Sequence, residues 1–247
     1  MLKNTLRLAV WSGPRNISTA LMRSWENRTD TCVIDEPFYA HYLHQTGLEH
    51  PGRDAVLASQ PNHWETVRNT LIGPVPNQYS MYYQKHMTHH FLPHMYGDWL
   101  KQLTNVFILR EPAAMLASLA KILPSPTLRD TGLAQQFELF QYVKKITGQV
   151  PLVIDATDIL LNPEKALRIW CEQLAIPFDT EMLHWPSGSR ETDGVWAKYW
   201  YNSVINSTKF RSYSSIDVPL SHNLRKTLSI CMPYHQELAQ YKLSISE

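Results

Sequence analysis

The chain has 247 residues, 44% hydrophobic and 18% charged, and 23 Lys+Arg against 22 Asp+Glu leave a net charge of +1. That near-neutrality excludes a general nucleic-acid binder, which concentrates positive charge to displace the counterions on phosphates. No run approaches the roughly 20 apolar residues of a membrane span, and the apolar stretch of MLKNTLRLAVW is too short for a signal peptide, so a soluble cytoplasmic protein is expected.

Taken in chain order, Leu6 to Trp11 is a short apolar run stopped by Ser12-Gly13-Pro14, the pattern of a buried strand. A helix is expected from Ile17 to Asn27, with Leu21 and Trp25 on one face. Thr31 to Ile34 is a second strand, ended by Asp35-Glu36-Pro37, and the aromatic-rich Gln78 to Tyr83 is a third. Asn105 to Leu109 is a fourth, with Pro112 placed as the first residue of the following helix. Leu152 to Ile154 is a fifth, followed by a helix with Asn162 as N-cap and Pro163 at its first position. A last helix follows Ser221, with Leu224, Leu228 and Cys231 spaced for burial. Strands alternating with helices predict one α/β domain over residues 1–247, a mostly parallel sheet covered on both faces. Cys32, Cys171 and Cys231 are far apart, and their spacing offers neither a disulfide framework nor a zinc site.

Strand, turn, helix is the layout in which α/β folds bind anions, because a helix N-terminus presents unpaired N–H groups and a partial positive charge. The turn Ser12-Gly13-Pro14-Arg15-Asn16-Ile17-Ser18-Thr19 sits at that junction. Gly13 is expected to let the backbone approach a ligand, Arg15 to add a bidentate fork, and Ser18 and Thr19 to add hydroxyl donors. A capped helix with no ligand is the plain alternative. The loop lacks the second Gly and the Lys of the ATP-type Gly-x-x-x-x-Gly-Lys-[Ser/Thr] sequence.

In the segment from Asn105 to Pro112, a strand ends in Arg110, a helix starts with Pro112, and Ser118 stands eight residues after the Arg. It resembles the 3′-phosphate-binding segment of sulfotransferases that use 3′-phosphoadenosine 5′-phosphosulfate (PAPS). The first loop resembles the same family's 5′-phosphosulfate loop, with Arg15 where the cytosolic enzymes carry Lys. The chain is most similar to short bacterial sulfotransferase-like proteins, at SGPRNISTAL, DEPFYAHYL, KHMTHH, FILREPAAMLAS and WAKYWYNSVINSTKF. The resemblance implies a P-loop NTPase-like three-layer fold with a central five-stranded parallel sheet and PAPS along the carboxyl ends of the strands. It implies Ser12, Gly13, Pro14, Arg15, Asn16, Ser18, Thr19, Arg110 and Ser118 as nucleotide contacts. Lys209 and Arg211 either supply a further 3′-phosphate contact, in place of the family's missing Arg-Lys-Gly segment, or form a solvated surface pair.

Sulfonate transfer to an alcohol needs a base, cations on the sulfonate oxygens and a stabilised leaving phosphate. It needs no metal. Glu36, just past the second strand, is the first candidate base; its plain alternative is a strand end or an ion pair. His86, His89 and His90 follow the expected third strand and are rivals, since imidazole titrates near neutrality. Lys85 is expected either to stabilise the leaving phosphate or to be an ordinary surface lysine. Trp196, Tyr199, Trp200 and Tyr201 either wall an acceptor pocket or pack the core. The leading expectation is transfer to a hydroxyl of a small molecule or carbohydrate. The alternatives are a P-loop nucleotide kinase or related phosphotransferase, and a homologue that binds nucleotide without turnover.

Overall fold

The computed structural model describes residues 5–75, 79–213 and 220–245. Five parallel strands, β1 Leu6–Ser12, β2 Thr31–Asp35, β3 Met81–Met87, β4 Thr104–Leu109 and β5 Leu152–Asp155, form one sheet in the order β2-β3-β1-β4-β5. The expected parallel α/β fold is the one observed. Helices α1 Ser18–Glu26, α2 Tyr39–Thr46, α3 Arg53–Ser59 and α4 Trp64–Ile72 fill the first half. After β4 come α5 Pro112–Leu119, α6 Leu128–Thr131 and α7 Leu133–Thr147, and after β5 come α8 Ala156–Leu161 and α9 Pro163–Gln173. Short helices α10 Ala197–Trp200 and α11 Asn202–Ile205 precede α12 His222–Ala239. Among the described residues no helix is long and apolar enough to cross a membrane.

Strand alternation sorts the sheet's side chains into two cores. Ala9, Trp11, Phe107, Leu109 and Val153 pack with α2, α5, α7 and α12 through residues such as Tyr42, Leu116, Phe140 and Leu238. Leu8, Val10, Tyr83, Val106, Ile108 and Ile154 face the other way, onto Trp25 of α1 and Trp170 of α9. A strand covered on both faces reads as a continuous apolar run, which is why β1 and β4 were legible.

The third strand departs from expectation. It runs four residues further than Gln78 to Tyr83 suggests, because Gln84, Lys85 and His86 belong to it despite their polarity; Gln78 itself lies outside the described residues. All three are buried. Lys85 is in register with Val10 and Asp35, and His86 with Trp11, so alternation sends the two neighbours to opposite faces.

The caps follow the sequence. Asn162 accepts from the Lys165 N–H ahead of Pro163, and Ser221 accepts from the Leu224 N–H. Glu111 caps α5 by accepting from Ala114, with Pro112 at the first helical position. Because all five strands run the same way, Ser12, Asp35, Met87 and Leu109 end at one edge of the sheet, and the loops that follow them meet there.

Candidate active site

A cavity of about 800 Å³ opens at that edge, the position open α/β sheets favour for ligands. Pro14, Arg15, Asn16, Ser18 and Thr19 line it from the β1–α1 turn, and Arg110 and Ser118 from the β4–α5 connection. Glu36, Lys85, His89 and His90 line it from the ends of β2 and β3, and Lys209 and Arg211 from the segment after α11.

The two loops read separately from the sequence are bonded to each other. Arg15 Nε donates to Ser118 Oγ at 3.0 Å. The Arg110 guanidinium donates to the Arg15 carbonyl. The Ile108 carbonyl, at the end of β4, accepts from Asn16 Nδ2 at 3.2 Å and from Gln136 Nε2 at 2.8 Å. Arg15 and Ile17 take left-handed backbone angles, φ 62 and 54, that fold the turn back on the helix start. Among the described residues neither Arg15 nor Arg110 has an acidic ion-pair partner. Burial, then the nearby Arg211, lowers the pKa of Arg15, and burial, then Arg15, lowers that of Arg110. Two half-buried guanidiniums thus face one cavity with no ion-pair partner among the described residues.

Two residues of the first loop have roles other than those expected. A Cβ on Gly13 would stand 2.4 Å from the Thr131 carbonyl oxygen, so this glycine admits the α6–α7 turn rather than a ligand. Ser12 is buried off the cavity, and its carbonyl accepts from Thr88 Oγ1 at 3.2 Å.

Past the arginines lies a buried charge cluster. Lys85 Nζ donates to Asp35 Oδ1 at 2.8 Å, to Glu36 Oε1 at 2.5 Å and to Tyr201 OH at 2.7 Å, which uses all three of its protons. Tyr201 OH also accepts from Trp196 Nε1 at 3.0 Å and donates to Asp35 Oδ2 at 2.7 Å. The Gly194 N–H adds a 3.2 Å bond to Asp35. Lys85 is therefore neither the surface lysine nor the free phosphate-binding cation of the two sequence readings. It is 1% exposed and fixes two carboxylates. The cluster holds two negative charges against one positive, and burial first, with Asp35 adding, raises the pKa of Glu36. Burial pulls Lys85 down, but Asp35 and Glu36 outweigh it, and its pKa stands above its ordinary value.

Glu36 has φ 39, a left-handed angle in a non-glycine residue that precedes a proline. Its N–H donates to the Lys85 carbonyl at 2.9 Å and its carbonyl accepts from Gln60 Nε2 at 3.2 Å. Among the described residues, three of the four non-glycine residues with positive φ, Arg15, Ile17 and Glu36, line the cavity, the usual concentration of backbone strain at a functional site.

The histidines separate. His86 stacks on Trp11 at 4.1 Å and on Phe38 at 5.5 Å, away from the cavity, and is a core residue rather than a rival base. Burial lowers its pKa to about 3, with Lys85 adding. His90 lies flat between Tyr39 and Tyr42, at 4.4 and 4.8 Å. His89 meets the edges of Tyr42 and His90. Burial lowers His89 to about 3 and His90 well below its ordinary value, so both rings are neutral near pH 7. Of the aromatic quartet, Trp200 and Tyr201 line the cavity, Trp196 is in the core, and Tyr199 is exposed off the cavity. The sequence reading missed Asp35 as a partner of Lys85 and Tyr201 as the link between them. The one local sign was a buried-strand lysine beside a DEP strand end.

The sulfotransferase domain family model matches residues 6–240. Two Arabidopsis thaliana proteins are similar, branched-chain-amino-acid aminotransferase-like protein 1 at 37% identity over 86% of this chain, and protein 2 at 33% over 92%. The chain spans about two fifths of their length, 38% and 40%. The fold matches a sulfotransferase from Alicyclobacillus acidocaldarius (TM-score 0.57, 13% identity, 95% of this chain and 96% of that one). It also matches the sulfotransferase domain of the curacin biosynthetic pathway (TM-score 0.54, 14% identity, 97% and 99%). A third match is the sulfotransferase domain of the Synechococcus PCC 7002 olefin synthase (TM-score 0.51, 16% identity, 98% and 97%). A parallel five-stranded sheet, a cavity lined by two arginines at its carboxyl edge and a family match along nearly the whole chain agree: this protein belongs to the sulfotransferase family.

Proposed function

We propose that this chain transfers a sulfonate group from PAPS to a hydroxyl of a small molecule or carbohydrate. The observation that carries the reading is the pair Arg15 and Arg110, two guanidiniums without acidic partners among the described residues, at the ends of adjacent strands over one cavity. A ligand with two separate anionic groups suits that pair. Arg15, Ser18, Thr19 and the open N–H groups of α1 would hold the 5′-phosphosulfate. Arg110, Ser118 and Lys209 would hold the 3′-phosphate. PAPS when bound supplies the sulfonate, giving up its sulfur–oxygen bond to the 5′-phosphate as the acceptor oxygen bonds to sulfur, and leaves as PAP.

Glu36 takes the proton of the acceptor hydroxyl. Its raised pKa brings a carboxylate closer to the strength a general base needs. Lys85, Asp35 and Tyr201 act on Glu36 by holding it. Neutral His89 and His90, drawn far below their ordinary pKa, are weak proton acceptors.

Transfer of labelled sulfonate from PAPS to a panel of alcohols, phenols and sugars tests the reading. Label transferred by the wild type and lost in Glu36→Gln supports it. Transfer undiminished in Glu36→Gln removes the base from this assignment.

A further inference from the structure

Asp35 and Glu36 are adjacent in the chain, yet both carboxylates end on one ammonium. Along a regular strand, neighbouring side chains point to opposite faces. The left-handed φ of 39 at Glu36, just past the end of β2, breaks that alternation. The Glu36 N–H on the Lys85 carbonyl and Gln60 on the Glu36 carbonyl hold the backbone in this turn. Strain at one residue therefore brings two like charges onto a single cation.

The two carboxylates share that cation but not the other donors. Lys85 Nζ stands 2.8 Å from Asp35 Oδ1 and 2.5 Å from Glu36 Oε1, so the ammonium alone does not favour Asp35. Tyr201 has one hydroxyl proton, and its oxygen lies 2.7 Å from Asp35 Oδ2 but 3.2 Å from Glu36 Oε1. The proton goes to Asp35. The Gly194 N–H adds a further bond to the same Asp35 oxygen. Glu36 Oε2 has no hydrogen bond among the described residues, and His90 Nδ1, at 3.8 Å, is too far to make one. The Asp35 side chain is 2% exposed and lies off the cavity, whereas that of Glu36 is 9% exposed and lines it.

A charge count gives this asymmetry a consequence. The other titratable groups around the pair are Tyr39 of α2, Tyr83 of β3, His90 after β3, and Tyr201. Burial raises the three tyrosines above their ordinary pKa and lowers His90 well below its own, so all four are neutral near pH 7. Two carboxylates and one ammonium leave the cluster at −1. When Glu36 takes a proton, the acceptor's O–H bond breaks, a bond to Oε2 forms, and the electron pair stays on the acceptor oxygen. The cluster then goes from −1 to 0. With a neutral residue at position 35, the same step would take it from 0 to +1. Burial favours the first change and opposes the second. Two neighbouring carboxylates are thereby set to different tasks by their surroundings.

We infer that Asp35 is a positioning residue of this site: it serves as the permanent anion of the pair, held by Lys85, Tyr201 and Gly194, and leaves Glu36 Oε2 as the oxygen that takes the acceptor's proton. The inference rests on the reading of Glu36 as the base, and it names the residue that equips Glu36 for that task.

Carboxyl-detected NMR of the free protein, with 13C-labelled aspartate and glutamate, tests it without any acceptor or nucleotide. Glu36 is assigned by the signal lost in Glu36→Gln, and Asp35 by through-bond connectivity. In the wild type the Glu36 signal should move before that of Asp35 as pH falls. In Asp35→Asn the Glu36 midpoint should drop by about one pH unit or more, the scale of a removed like charge. Asp35→Glu keeps the charge and should leave the midpoint near that of the wild type, a distinction that a merely structural role for Asp35 would not produce. Asp35 titrating first, or a Glu36 midpoint unmoved in a folded Asp35→Asn protein, overturns the assignment. If Asp35→Asn does not fold, the wild-type order of titration decides alone. Failure of PAP to bind in a separate titration would remove the donor reading and leave these results on the pair intact.

Discussion

Arg15 and Ser118, 103 residues apart in the chain, meet in a 3.0 Å hydrogen bond between the guanidinium Nε and the hydroxyl. Arg110 completes the link by donating to the Arg15 carbonyl. The turn after β1 and the helix after β4 thus form one bonded unit, and under the proposed function a ligand that binds one part meets the other already in place. Such preorganisation reduces the ordering cost of binding.

Arg110 should discriminate between nucleotides. Arg110→Ala should weaken PAP about ten- to a hundredfold, the worth of one charge-assisted hydrogen bond, roughly 1.5–3 kcal/mol. Adenosine 5′-phosphosulfate, which lacks the 3′-phosphate, should bind the variant nearly as well as the wild type. Ser118→Ala should repeat the pattern more mildly. Calorimetric titration of both ligands measures this. Equal losses would place Arg110 in the support of the loop instead of on the 3′-phosphate.

The charge cluster should be costly to break. Lys85→Met leaves Asp35 and Glu36 buried side by side without their cation, a loss of about 3–5 kcal/mol by comparison with other broken buried pairs. Tyr201→Phe removes one donor to Asp35 and one acceptor for Lys85 and Trp196, and should cost about 1–3 kcal/mol. Denaturant unfolding reads both. A Lys85→Met protein as stable as the wild type would mean that water already reaches the pair.

Much of this architecture was legible before the structure. The β1 turn and the segment of Arg110, Pro112 and Ser118 were legible as two strand-end loops, which the structure brings to one cavity, because their chemistry is local to a strand end and a helix start. What lay outside reach was nonlocal. Gln84, Lys85 and His86 interrupt the apolar run of β3 and suggested that the strand had ended, yet their partners lie elsewhere: Leu71 for Gln84, Asp35 and Tyr201 for Lys85, Trp11 for His86. Helix α2 is preceded by a proline and a strained glutamate, with no side-chain cap, and went unread. So did α7, the 15-residue Leu133–Thr147, although Leu133, Phe140 and Val143 are spaced for one face; the buried Gln136 on that face masks the pattern.

Glu36→Gln keeps the side chain's shape and its bond to Lys85 but cannot take a proton. Turnover should fall by roughly 10²–10⁴-fold with PAP affinity near wild type. Since the base must be ionised, and burial raises its pKa above 4.5, the wild-type kcat/KM should decline as pH falls through that raised value. The same pH limb persisting in Glu36→Gln would assign it to another group.

The buried histidines set the acid side of stability. His86 and His89 have pKa values lowered to about 3, against 6.5 for an ordinary histidine. Between those limits the unfolded chain binds the protons that the folded chain refuses, so stability falls as pH drops below about 6.5. Each such histidine contributes a slope of about 1.4 kcal/mol per pH unit. His86→Phe, which suits the stack between Trp11 and Phe38, should remove one proton's worth of that slope in unfolding curves from pH 7 to pH 5. An unchanged slope would show that His86 does not stay neutral in the folded state.

The most direct test of the central claim is calorimetric titration of the protein with PAP in the absence of magnesium, repeated in the presence of ATP and magnesium. The cavity's paired guanidiniums predict one PAP site per chain, formed without metal, lost in Arg15→Ala and not displaced by ATP with magnesium. A protein that ignores PAP and binds ATP only with magnesium would contradict the account and identify the cavity as that of a nucleotide kinase.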